Sequence, residues 1–175
     1  MKIVRSKPGH EIMLSNYYGA NEAHLRSWSP LMPRSHHSVA SWTLRLLDRE
    51  KEFEEESSVH FIGINDAETF VIGTCSISNI VRGVFQSCHM GYSIDRNFEG
   101  QGRMQRIAEH TIAYAFGELN LHRIIANHMP KNIRSQALLK KLGFEREGYA
   151  KEFLKINGKW EDHVLNSLIN REYKD

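Results

Sequence analysis

Two short stretches of this 175-residue sequence hold residue types that could do chemistry. The first is Ile94-Asp95-Arg96-Asn97-Phe98-Glu99-Gly100-Gln101-Gly102-Arg103-Met104, between a β-branched run and an amphipathic one. Glycines at a strand-to-helix turn reach dihedrals closed to other residues and leave room for a ligand against the main chain. The helix that follows presents unpaired N–H groups and the positive end of its dipole, which suits a phosphate or pyrophosphate. Alone, Gly-x-Gly is more readily a turn that merely starts a helix. It lacks the third glycine of a dinucleotide fingerprint, and no Gly-Lys-Ser/Thr follows as in a nucleotide-triphosphate loop.

The second stretch is Asn127-His128-Met129-Pro130-Lys131, ending a strand, with Asn132-Ile133-Arg134-Ser135 opening a helix. Asn132 is a good N-cap, because its side-chain oxygen can accept a first-turn N–H. Ser135 lies in that turn, and its hydroxyl faces the same opening as the end of the preceding strand. Leu138, Leu139 and Leu142 supply a buried face, and Gly143 stops the helix.

The elements that must position these stretches follow from periodicity. Lys2 to Arg5 reads as a short strand, and His10 to about Trp28 as a helix broken by Ser29-Pro30-Leu31-Met32-Pro33. A second helix starts near Ser38, with Val39, Trp42, Leu46, Leu47 and Phe53 on one stripe. Strands follow over Val59–Ile64, Phe70–Ile80 and Val84–Ile94, then a helix over Met104–Leu119 and a strand over His122–His128. After the Asn132–Leu142 helix, two strands over Glu145–Ile156 and Trp160–Ile169 join through Asn157-Gly158, the strongest hairpin signal present. The order β-α-α-β-β-β-α-β-α-β-β predicts one domain over residues 1–175, of the α/β (α+β) class, with a mixed, largely antiparallel sheet flanked by helices. The glycine loop thus follows the third strand of an antiparallel run, where a dinucleotide motif would follow the first.

Composition closes off other classes. No apolar run approaches the roughly 20 residues of a membrane helix, and no apolar stretch follows the basic N-terminus as in a secretory signal. Cys75 and Cys88 have the spacing of neither a metal knuckle nor a redox pair, so both are expected as reduced, buried apolar groups of a cytoplasmic protein. The ten histidines are scattered, no cluster has zinc spacing, and no metal is expected. A net charge of +2 gives no direct sign of nucleic-acid binding.

The glycine loop, Asn132-x-x-Ser135, Leu142-Gly143-Phe144 and Gly148-Tyr149 together resemble the GNAT superfamily of acyl-CoA N-acetyltransferases. Val81-Arg82-Gly83, Gly91-Tyr92-Ser93-Ile94, His122-Arg123-Ile124, Ala126-Asn127-His128-Met129-Pro130 and Asp162-His163-Val164-Leu165 resemble its RimJ/RimL branch. That branch acetylates the N-termini of ribosomal proteins. The match is dense from Ile80 to Leu168 and looser in the first sixty residues. Asn97 stands where the superfamily often has Gln or Arg, which gives weight to Arg96 or Arg103.

The resemblance implies acetyl-CoA as cosubstrate, with a small-subunit ribosomal protein as acceptor and a pre-ribosomal particle as a further partner; it leaves oligomeric state open. It places the pantetheine arm between two splayed strands, against Tyr92, Ser93, Ile94 and Asn127. The pyrophosphate then rests on Phe98, Glu99, Gly100, Gln101, Gly102, Arg103 and Met104, with Asn132 nearby. Ser135 becomes the group that protonates the leaving thiolate. Glu152 is the first carboxylate to consider for proton traffic, with Asp162 and His89 behind it and Trp28 at the acceptor opening. Each has an ordinary reading too: Glu152 a surface strand residue, Asp162 a hydrogen-bonding tie between loops, His89 a strand histidine, Trp28 a packing residue. A small amine or polyamine as acceptor, a ribosome-assembly role and a pure coenzyme-binding module are the rival readings.

Overall fold

The computed structural model describes residues 1–174, the side chain of Arg34 excepted. The β-branched runs form β1 (Lys2–Arg5), β2 (Val59–Ile64), β3 (Val71–Val81), β4 (Ser87–Ile94), β5 (Arg123–Ile125), β6 (Glu145–Ile156) and β7 (Lys159–Ile169). They make one sheet in the order β1-β2-β3-β4-β5-β7-β6. Every neighbouring pair is antiparallel except β4 with β5, as expected for a mixed sheet. Between them run α1 (Glu11–Ala20), the single turn α2 (Glu22–Leu25), α3 (Val39–Glu54), α4 (Arg103–Gly117) and α5 (Ile133–Lys141).

Alternation along each strand sends side chains to opposite faces, and each face has its own core. Cys75, Ile77, Cys88 and Met90 pack with Ile107 and Ala108 of α4 and Leu139 of α5. On the other face Ile62, Ile64 and Val71 meet Leu14 and Tyr17 of α1 and Trp42 and Leu46 of α3. Both cysteines are free and buried, and burial pushes each thiol up to about 12, so both stay neutral. The close seat of α4 has a specific cause. Gly63 and Gly73 oppose each other on β2 and β3, and a Cβ on Gly63 would come within 2.5 Å of Ile107 Cδ1. Two absent side chains let Ile107 sink onto the sheet.

The structure departs from the sequence expectations in four places. The first helix breaks at Asn21, because that residue's amide serves the glycine loop instead of a surface. Val84 and Phe85 lie in the β3–β4 connection, exposed, and β4 begins only at Ser87. On α3 the buried face narrows to Trp42 and Leu46, with Val39 and Leu47 exposed, because α1 is its partner on one side only. The strand expected to reach His128 stays with β7, through Ala126 N–H to Asn166 O at 3.0 Å and the His128–Val164 bridge, but parts from β4. The hairpin at Asn157-Gly158 forms as expected, with φ of 45° and 81°. Its tip reaches back across the molecule, where Asn157 N–H donates to Ser29 O at 2.9 Å.

Among the described residues no helix is long and apolar enough to cross a membrane, and no group of three metal-ligating side chains converges.

Candidate active site

β4 pairs with β5 only through Ser87, Cys88 and His89. Beyond His89, β4 continues with β3 up to the Ile94–Gly73 pair, whereas the chain after Ile125 continues with β7. The two strands therefore diverge, and the edge of β4 from Met90 to Ile94 is left without a strand partner. Unpaired main-chain groups demand hydrogen bonds from something else. A cavity of about 380 Å³ opens at this wedge, walled by β4, the glycine loop, the first turns of α4 and α5, and the Leu25–Ser29 segment.

Asp95 builds the loop: its Oδ1 accepts the Asn97 N–H at 2.8 Å and caps the 3-10 turn Arg96–Phe98. Gly100 and Gly102 both lie at left-handed dihedrals, φ of 70° and 71°. A Cβ on either would meet nothing within 4 Å, so these glycines serve the turn and leave open space in front of it. The first helical bond of α4 runs from Arg106 N–H to Gly102 O. The N–H groups of Arg103, Met104 and Gln105 thus have no intrahelical acceptor and stand at the positive end of a 15-residue helix. His24, Arg103, Arg134 and Lys141 line the same cavity against one carboxylate, Glu99. Glu99 is held by Arg134 and, at 3.4 Å, by His24 Nε2. Arg103 stacks 4.9 Å over Phe98. A surplus of positive charge around free N–H groups suits a diphosphate.

At the other end of the wedge, Asn132 caps α5 by accepting the Ser135 N–H at 3.1 Å. The Ser135 hydroxyl, buried in the first turn, lies 2.6 Å from the Tyr92 phenol of β4. Burial pushes that phenol up to about 12, so it keeps its proton at any ordinary pH. Tyr92 can then donate to Ser135, which frees the serine proton for a third group in the wedge.

The Asn21 side chain, which nothing in the local sequence marks as functional, ties this site together. Its Nδ2 donates to Tyr17 O and to Asp95 Oδ2, both at 2.9 Å, and its Oδ1 accepts the Arg96 N–H at 3.1 Å. A buried amide with every bond satisfied specifies a single geometry, here that of the junction between α1 and the glycine loop. Asn21→Ala is expected to lower stability by about 2 kcal/mol, since it orphans buried partners. Urea unfolding measures this, and an unchanged midpoint would show the amide to be dispensable.

Tyr92, Ser93, Ile94, Phe98, Glu99, Gly100, Gly102, Arg103, Met104, Asn132, Ser135 and Trp28 all line the cavity. Five other expected residues do not. Gln101 is exposed and turns back to Asn97 O at 2.8 Å. The Asn127 side chain accepts the Asn166 N–H at 3.2 Å and so serves the β7 contact. His89 stands where β4 and β5 begin to part, half-buried, its Nδ1 without a partner. Glu152 and Asp162 belong to one device outside the cavity. Pairing of β6 with β7 slips between Ala150 and Leu154, and Glu152 bulges out at φ 48°. Asp162 Oδ1 accepts the Glu152 N–H at 2.8 Å, and its Oδ2 accepts the Tyr149 hydroxyl at 2.5 Å. These bonds, the phenol's first, hold the Asp162 carboxyl below its ordinary range.

Residues 11–145 match the family model of the acetyltransferase (GNAT) domain. Over 161 residues the chain is 41% identical to the ribosomal protein uS5-alanine N-acetyltransferase of Escherichia coli, covering 91% of this chain and 82% of that protein. The ribosomal-protein-S5-alanine acetyltransferase of Vibrio fischeri matches with a TM-score of 0.96 at 38% identity, over 99% of this chain and 94% of that one. Mycobacterium smegmatis RimJ, solved in complex with CoA-disulfide, matches with a TM-score of 0.90 at 26% identity, over 99% and 83% of the two chains.

Proposed function

Because this chain belongs to the GNAT acetyltransferase family, we propose that it acetylates the N-terminal α-amine, alanine by preference, of a small-subunit ribosomal protein in the cytoplasm. The named activity of its Escherichia coli and Vibrio fischeri relatives supports that acceptor. The observation that carries the chemistry is the Ser135–Tyr92 hydroxyl pair beside an unpaired strand edge, at the far end of a wedge from a cationic helix N-terminus.

Acetyl-CoA supplies the activated acyl group as a thioester. The N–H groups from Gly102 to Gln105, with Arg103, hold its diphosphate, and the free edge of β4 from Tyr92 to Ile94 holds its amide-bearing arm. Ser135 donates a proton toward the departing sulfur, and Tyr92 keeps the serine oriented. No cysteine lines the cavity, and the partner of Ser135 is a proton-holding phenol instead of a base. Neither feature activates a side-chain nucleophile, which favours direct attack by the amine in a ternary complex.

A dedicated base is not required. An α-amine with a pKa near 8 is roughly one-tenth free base at neutral pH, against well under about a thousandth for a lysine near 10.4. The one carboxylate on the lining, Glu99, is already engaged by Arg134 and His24.

Charge also separates a peptide from a polyamine. A polyamine needs free carboxylates at its entrance, whereas behind the Leu25–Ser29 wall the one carboxylate, Glu22, is paired with Arg26, and Arg45 and Arg49 stand uncompensated. The hairpin tip meets the same wall at Ser29, and Leu31, Leu154 and Trp160 leave apolar surface exposed on the two segments.

Incubation with acetyl-CoA and a panel of peptides, read by mass, tests the proposal. Peptides beginning with alanine should gain one acetyl group, and N-terminally blocked peptides and spermidine none. Acetylation of spermidine with no peptide modified would reverse the assignment of acceptor.

A further inference from the structure

A second cavity, of about 460 Å³, lies across Leu25 and Ser29 from the first, and none of the groups assigned to the coenzyme or to proton transfer line it. Its walls are α1, α3 and the segment between them. Three rings stack there: Tyr18 and His37 at 4.7 Å and 4° between planes, Tyr18 and Trp42 at 5.2 Å and 22°. The Arg45 guanidinium sits 3.6 Å over the indole of Trp42, and that of Arg49 lies 5.0 Å from it.

What the cavity lacks is free negative charge. Arg45 donates to His36, through Nε2 at 3.0 Å and through the carbonyl oxygen. A guanidinium has about five N–H donors, yet Arg49 uses one, to Ser6 Oγ at 3.1 Å. Among the described residues neither arginine has a carboxylate within ion-pair distance. Trp42 Nε1 and His37 Nδ1 are buried with no partner at all. Burial holds His37 down to about 4, so its ring is neutral. The one carboxylate on the lining, Glu22, is turned to Arg26 at 2.7 Å.

Unpaired buried donors are costly, and a guanidinium stacked on an aromatic ring presents its N–H fork edgewise, in the geometry that grips a carboxylate or phosphate through two bonds. We infer that this cavity binds a small oxyanion, a carboxylate or phosphate group, held by the Arg49 guanidinium beside the Tyr18–His37–Trp42 stack. The site is separate from the diphosphate site, since Arg45, Arg49 and Trp42 line only this cavity.

Titration calorimetry on the whole chain tests it, with citrate and inorganic phosphate as probes in chloride buffer at fixed ionic strength, with and without saturating coenzyme A. Saturable one-to-one binding of at least one probe is expected, unchanged by coenzyme A, and weakened about tenfold or more by Arg49→Met. Circular dichroism checks folding; if Arg49→Met fails to fold, Arg49→Lys, which keeps the charge but not the fork, should show the loss. Absence of saturable heat with both probes, suppression of that heat by coenzyme A, or unaltered affinity in the folded Arg49 variant would each overturn the site.

Discussion

Ser135→Ala should lower kcat roughly a hundredfold and leave the apparent KM for acetyl-CoA within about threefold of its starting value. In the mechanism proposed above the hydroxyl acts only as the carbon–sulfur bond breaks, and an interaction made in the transition state alone moves kcat and not ground-state binding. The expected size is at the low end for proton transfer because a thiol with a pKa of about 8.5 leaves with little help. Tyr92→Phe removes the group 2.6 Å from the serine oxygen and should cost less, about tenfold, since serine keeps its proton but loses its orientation. The two losses should not add: the double variant should match Ser135→Ala alone. Steady-state kinetics on the four proteins measures this. Additive losses would mean that the two hydroxyls act separately, and an unaltered kcat in Ser135→Ala would remove serine from the mechanism.

Gly73→Val should be the most damaging single change to the fold, at about 3 kcal/mol. A Cβ at this position would stand 2.9 Å from Ser93 O, 3.0 Å from Ile94 Cδ1 and 3.2 Å from Ile107 Cδ1. The two isoleucine tips can turn aside, but a carbonyl oxygen of a paired strand cannot. β3 and β4 must then separate at the point where β4 leads into the wedge. Urea unfolding should show a midpoint well below that of the parent, and the folded fraction should bind coenzyme A more weakly because the free edge of β4 moves with its strand. A parent-like midpoint would mean that the strands yield more cheaply than their hydrogen bonding suggests.

Local order governs what could be read from the sequence. Strand alternation, the Asn157-Gly158 turn and the helix cap at Asn132 depend on neighbours a few residues apart, and all three stand in the structure. The glycine loop and Ser135 stood out only in company, because a glycine turn or a capped helix alone has an ordinary structural use, and their spacing together with Leu142-Gly143-Phe144 marked them. What lay hidden were pairings across long separations. The Tyr92 phenol meets a residue 43 positions away, and Asn21 meets one 74 positions away. Glu152 was placed on a regular strand because register is invisible in a sequence, and one bulge changes the direction of every side chain it carries. Arg45 and Arg49 could have been noticed. They flank Leu46 on the helix that buries Trp42, and a basic residue so near a buried face usually has a task beyond solubility.

The bulge at Glu152 bears on how copies of this chain meet one another. β6 ends the sheet, and at 12 residues it is the longest strand in the fold. A straight strand in that position would offer a ladder of free main-chain groups to any extended segment nearby. The kink divides that ladder, and Lys151, Glu152 and Lys155 set charges along it. The molecule thereby leaves a large sheet open at its margin without inviting another chain to extend it.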